Sequence, residues 1–172
     1  ELDKETGIFN RDAFSRRTEE MVRSNPDKKY VLVRWDIDRF KIYNDTFGVH
    51  AGDNLLRAIG KSYLDRGLKS ITYGRWVADH FVMCMEERMF SGVAVHQYIS
   101  EQLSLYRSDF EFIVRMGVYR ISDPNLSVTL MCDRALMAMK SIKTSFEKRI
   151  AYYDDSMRDQ MMEEQELINE ME

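Results

Sequence analysis

The chain has 172 residues, 44% of them hydrophobic and 31% charged, and a net charge of −4. That is the size and composition of one globular domain with an apolar core, with no bias towards disorder. The acidic balance argues against a broad nucleic-acid surface, which needs clustered Lys and Arg, and no apolar run approaches the roughly 20 residues of a membrane span. Cys84 sits in an apolar strand and Cys132 in a helical stretch, without zinc or disulfide spacing. They read as buried thiols of a reducing compartment. The sequence begins at Glu1 and shows no signal peptide. It reads as an excised piece of a cytoplasmic protein that makes no membrane contact itself, with room for a membrane anchor elsewhere in the parent.

An opening turn at Asp3-Lys4-Glu5-Thr6-Gly7 leads into a helix over 10–24, stopped by Asn25-Pro26-Asp27. Residues 30–37 predict a strand with Val31, Val33, Trp35 and Ile37 on one face and Leu32, Arg34 and Asp36 on the other. Gly52-Asp53 opens the next helix, with Asp53 as its cap and Leu55, Leu56, Ile59 and Tyr63 as its apolar stripe. Strands 71–76 and 81–85 form a hairpin joined by Val77-Ala78-Asp79-His80. Ser91 starts a helix carrying Val95, Ile99, Leu103 and Tyr106, and alternation from Phe110 through Phe112 to Val118 predicts another strand. Ser127 caps a helix with Met131, Ala135, Ala138 and Ile142 on one side, and 149–153 is a short last strand. Mixed helices and hairpin-linked strands predict an α+β fold with a central, largely antiparallel sheet flanked by helices.

From residue 155 onward the character changes. Met157, Met161, Ile168 and Met171 make a thin apolar stripe on an otherwise strongly acidic helix. We expect residues 1–154 to form the domain and 155–172 a connector whose seam meets a partner helix or a following domain.

The chemistry concentrates at the end of the first strand. Asp36 and Asp38 share a face there, and two such carboxylates repel unless a cation or hydrogen bonds compensate. Magnesium suits the position because it takes one or two carboxylates together with phosphate oxygens and water. Alone, an Asp-x-Asp pair is weak evidence. Asn44 by itself reads as a turn residue and Asp53 as a helix cap.

Taken together, Asp36-Ile37-Asp38-Arg39-Phe40-Lys41, Asn44-Asp45-Thr46-Phe47-Gly48 and Gly52-Asp53 closely resemble the GGDEF family of diguanylate cyclases, which condense two GTP molecules into cyclic di-GMP. Asp3, Thr6-Gly7, Asn10-Arg11 and Phe14 match that family's opening motif, and Asp133, Ala135-Leu136 and Met139-Lys140 its closing helix, so the likeness runs from Asp3 to about Tyr153. It implies a nucleotidyl-cyclase, palm-like fold with a ferredoxin-like core. It also implies that Asp36 and the Ile37 carbonyl hold magnesium and that Asn44 and Asp53 read the guanine edge. The backbone at Arg39 and Phe40, with Lys140, would lie against the triphosphate of GTP or GDP.

The signature turn departs from that pattern. Where the family reads Gly-Gly-Asp-Glu-Phe, this chain reads Val77-Ala78-Asp79-His80-Phe81. Val77 and Ala78 add side chains where glycine tolerates positive φ and lets a nucleotide approach. Asp79 keeps the third-position carboxylate, which in the family serves the metal and the reaction, so it is the vestigial catalytic residue. His80 replaces a carboxylate with an imidazole, a poor ligand for a hard cation. The family's inhibitory product site, an Arg-x-x-Asp motif, has no counterpart in Leu68-Lys69-Ser70-Ile71, and Lys143-Thr144-Ser145 stands where an arginine usually follows Lys140.

Three functions compete: a non-catalytic regulatory domain that binds GTP or GDP, an active or weak diguanylate cyclase, and an interaction module without nucleotide. Intact Asp36, Asn44, Asp53 and Lys140 favour the first over the third, and Val77, Ala78 and His80 favour it over the second. The stretch from Tyr152 to Arg158 and the acidic helix after it resemble the join between GGDEF and EAL domains. That implies a linked cyclic di-GMP phosphodiesterase as partner, with self-association into a homodimer as a further expectation.

Overall fold

A computed structural model describes residues 1–66 and 71–171. The helices are α1 (Arg11–Ser24), α2 (Phe40–Phe47), α3 (Val49–Arg66), α4 (Gly92–Tyr106), α5 (Val128–Ser141) and α6 (Asp155–Met171). The strands are β1 (Tyr30–Ile37), β2 (Thr72–Val77), β3 (His80–Glu86), β4 (Val114–Arg120) and β5 (Ile150–Tyr152). They form one sheet in the order β2-β3-β1-β4-β5, antiparallel throughout except for the parallel β4–β5 pair. The architecture is the α+β sheet flanked by helices that the sequence predicts.

Alternation along the central strand divides the core. Val31, Val33, Trp35 and Ile37 pack with Leu55, Leu56 and Ile59 of α3 and Ile99 and Leu103 of α4. Leu32 joins Val82 and Cys84 on the other face, beneath Phe14 of α1 and Met131, Cys132 and Ala135 of α5. Arg34 and Asp36 therefore emerge on the α1/α5 side. Both thiols are buried and free, and burial pushes each well above the ordinary range.

Local chemistry fixes the helix starts. Asn10, Ser91 and Ser127 each accept a hydrogen bond from the backbone three residues on, at the N-termini of α1, α4 and α5. Close approach fixes α5 on the sheet: a Cβ on Gly117 would stand 1.9 Å from the carbonyl oxygen of Ala135. Gly117→Ala should accordingly cost about 3 kcal/mol, because backbone rather than a flexible side chain must yield. Urea unfolding measures this, and a near-neutral result would show that α5 rides more loosely on β4.

Four expectations need correction. Asp53 does not cap a helix; α3 starts earlier, at Val49, and Asp53 lies inside it. Asn44 is not a turn residue but part of α2, an element the sequence reading lacks. Phe110 and Phe112 precede β4 and surround Tyr43 at 5.3 and 5.5 Å between ring centroids. The β2–β3 strands run on into the expected four-residue connection, pairing Val77 with His80 and leaving only Ala78 and Asp79 in the turn. Residues 68–70, on which the reading of an absent inhibitory site rests, lie outside the described residues.

In α6, Met157 packs on Ala138, Ile142 and Ala151, but no residue of the helix is buried. Met161, Met162, Leu167, Ile168 and Met171 are exposed. Among the described residues no helix is long and apolar enough to cross a membrane.

Candidate functional site

The start of β3, the end of β1, the start of β4 and the last turn of α5 meet around a cavity of about 150 Å³ lined by Asp36, Asp38, His80, Arg115, Lys140 and Lys143, among others. A larger apolar cleft of about 260 Å³ lies between α3 and α4, on the other face of the sheet, and holds none of these charged groups.

Each charged group in the first cavity has a traceable position. Asp36 pairs across the sheet with Arg115, whose guanidinium reaches Asp38 at 2.9 Å. The Nε of Arg115 is buried without a hydrogen-bond partner. Burial raises the pKa of Asp79, against the opposing pull of the nearby backbone N–H groups of Asp79 and Ile37 and of Arg75. Asp36 is pushed up to about 6, first by burial and then by the nearby Asp79 and Asp38 carboxylates.

His80 stands between two of these groups. The buried Arg34 donates from Nε to His80 Nδ1 at 3.2 Å, and His80 Nε2 lies 3.6 Å from the Asp36 carboxylate. Arginine only donates, so Nδ1 must accept, and the ring proton sits on Nε2 facing Asp36. Burial, with Arg34 and Lys140 nearby, lowers the His80 pKa to about 4, so the ring is neutral at pH 7.

This arrangement suits a divalent cation poorly. Neither His80 nitrogen has a lone pair free to ligate, Asp38 is paired with Arg115, and Asp79 does not line the cavity. Among the described residues no three His, Cys, Asp or Glu side chains gather as a metal site. Of the side chains that the sequence assigns to magnesium, only Asp36 faces the cavity unpaired by backbone or arginine.

The altered turn keeps its shape. Ala78 takes the left-handed conformation itself, with φ 49°, at a cost of about 1 kcal/mol. Arg75 offsets this by donating to the Ala78 carbonyl at 2.8 Å while its other nitrogen holds Asp3 at 3.2 Å. Asp3 in turn accepts from the Thr6 backbone and hydroxyl. The opening motif thus braces the hairpin turn. Val77, extended and half exposed, covers the turn with a side chain and not with strain.

The remaining assigned residues lie on the other side of the 38–40 bend. Arg39 is left-handed, with φ 60°, and precedes α2, while the Phe40 ring stacks on Tyr43 in the core. Asn44 lies against Gly52, where a Cβ would fall 1.7 Å from its Oδ1, and that oxygen is buried without a partner. Asp53 follows immediately, half buried on α3. The structure therefore brings Asp36 and Lys140 to one cavity, leaves Asp79 close to Asp36 but outside the lining, and sets Asn44 with Gly52-Asp53 apart from it. Arg34, Arg75 and Arg115 are the functional residues missing from the sequence reading. Their one visible signal is Arg34, a cation inside an apolar strand.

The family description "Diguanylate cyclase, GGDEF domain" matches residues 1–149. The chain belongs to the GGDEF family. This GGDEF chain is 27% identical over 133 residues to the probable diguanylate cyclase DgcE of Escherichia coli, covering 76% of itself and 12% of that protein. It is 22% identical over 176 residues to MucR of Pseudomonas aeruginosa, described as a bifunctional diguanylate cyclase/cyclic di-GMP phosphodiesterase, covering 98% of itself and 26% of MucR. The chain thus spans a minor part of either protein. Its fold matches the GGDEF domain of TpbB, also called YfiN, from P. aeruginosa, with a TM-score of 0.73 at 20% identity, covering 94% of this chain and 99% of that one.

Proposed function

We propose that this GGDEF domain binds a guanine nucleotide without converting it, and that it regulates a linked cyclic di-GMP phosphodiesterase. One observation carries the binding half: the buried, unpartnered Asn44 Oδ1 beside Gly52 and next to Asp53. A buried acceptor without a partner is costly, and the N–H groups of a guanine edge are donors that would satisfy it and the Asp53 carboxylate together. The loss of catalysis follows from His80, which directs an N–H at Asp36 from the place where the family carries a carboxylate.

The regulatory half is supported by MucR, which combines both activities, and by the exposed methionines and leucine of α6, an acidic helix anchored to the domain through Met157. A lone helix of that length is marginal in water, so its order depends on what it packs against. Residues 155–172 would then join the domain to its neighbour, and a homodimer is the other arrangement that covers the same stripe.

Equilibrium binding with labelled GTP, competed by ATP, tests the reading. GTP should bind in preference to ATP, and Asn44→Ala should weaken it by roughly ten- to a hundredfold, as expected for about 1–3 kcal/mol of unpaired base edge. Equal affinity for the two nucleotides, or indifference to Asn44→Ala, sinks the guanine pocket.

A further inference from the structure

We propose that this domain holds the polyphosphate of its guanine nucleotide without a divalent cation, its own arginines and lysines supplying the countercharge. The inference rests on the guanine-binding reading above and concerns how the phosphates are neutralised. Three observations carry it.

The first is occupancy. A metal at the end of β1 needs lone pairs, but His80 uses Nδ1 to accept from Arg34 and turns Nε2–H towards Asp36. Asp38 is paired with Arg115 and Asp79 lies outside the cavity's lining, so Asp36 is the carboxylate left to a cation there. The second is charge. Arg115, Lys140 and Lys143 line the cavity against Asp36 and Asp38, so its lining carries one more cation than anion before the buried Arg34 behind His80 is added. A dication entering here meets fixed positive charge at a few ångströms, whereas a polyphosphate meets donors. The third is an unmet donor. Arg115 Nε is buried with no acceptor, in a side chain that lines the same cavity, and a phosphate oxygen is the acceptor it lacks.

The exchange is physically coherent. Each phosphate oxygen that a metal would gather can be met by a guanidinium or ammonium, which binds as a charge-assisted donor and demands no coordination geometry. Arg34 acts at one remove: it fixes the His80 tautomer and so keeps the imidazole from becoming a ligand. It is a positioning residue.

Titration of the full chain with GTP by calorimetry, once in magnesium and once in excess EDTA, tests this. Dissociation constants within about threefold of each other are expected, and a loss of thirtyfold or more in EDTA overturns the proposal. Lys140→Ala, an exposed position that folding tolerates, should weaken GTP about tenfold in EDTA, and an unchanged constant counts against the cation cradle. Arg34→Met with His80→Glu should make binding magnesium-dependent. Continued indifference to EDTA in that variant assigns the effect elsewhere and overturns the role of Arg34. Absence of binding in both buffers defeats the guanine reading itself, so the two failures are distinct.

Discussion

Incubated with GTP and magnesium, the protein should release no cyclic di-GMP, and exchanging Val77, Ala78 and His80 for Gly, Gly and Glu should not restore synthesis. The turn's backbone is already in place, because Ala78 adopts φ 49° and Arg75 secures its carbonyl. What the chain lacks is a free carboxylate at position 80. A glutamate introduced there would lie beside the Arg34 guanidinium, which now donates to His80 across 3.2 Å. Arg34 is buried, and a buried cation with one good partner holds it strongly. The new carboxylate would therefore become an ion-pair partner and leave the reacting phosphate unattended. Only the variant that also carries Arg34→Leu should produce cyclic di-GMP, from a background at least a hundredfold lower, the scale on which losing one directed electrostatic contact acts. Chromatography of the nucleotide products measures all three proteins. Turnover by the parent chain, or by the triple variant with Arg34 intact, refutes this account.

That dependence on Arg34 also marks where sequence reading fails. Strand β1 was legible because its alternation places four apolar side chains on one face, and the starts of α1, α4 and α5 because Asn10, Ser91 and Ser127 announce them. These are local rules. Helix α2 was not legible: its motif carries charged and amide side chains typical of a bend, and its one buried residue, Tyr43, gains meaning only from Phe110 and Phe112, distant in sequence. The same distance misled the reading of β4, since Phe110 and Phe112 alternate like strand residues while serving that aromatic cluster. In the site, the residue types at positions 36, 44, 53, 79 and 140 could be taken from the family pattern. Their electrostatic state could not, because it depends on Arg34 and Arg115 reaching across strands.

Asp36→Asn should stabilise the protein at pH 7.5 by about 2–3 kcal/mol, with the gain disappearing as the pH falls to 4. The sign follows from linkage. Asp36 titrates at about 6 in the fold against 3.8 as a free side chain, so the native state binds its proton more tightly than the unfolded chain does. Its ionisation therefore destabilises the fold, not at all below about pH 4 and fully above about 6, by roughly 1.4 kcal/mol for each tenfold difference in proton affinity. His80 acts in the opposite sense. Its pKa is lowered to about 4 from 6.5, so its contribution is complete above pH 6.5 and is lost as the pH falls towards 4. In the parent chain the two nearly cancel between pH 6.5 and 4, and this pair adds little slope to stability there. Removing the Asp36 charge leaves His80 unopposed: the variant starts more stable and then loses about 3 kcal/mol over that interval. Other carboxylates titrate alike in both proteins and drop out of the difference. Urea unfolding at half-unit pH steps gives the curve directly. A variant less stable than the parent at pH 7.5, or a difference that does not change with pH, would mean that Asp36 is already compensated in the free protein. In that case the arginines beside it, Arg115 and Arg34, would be the groups that compensate it.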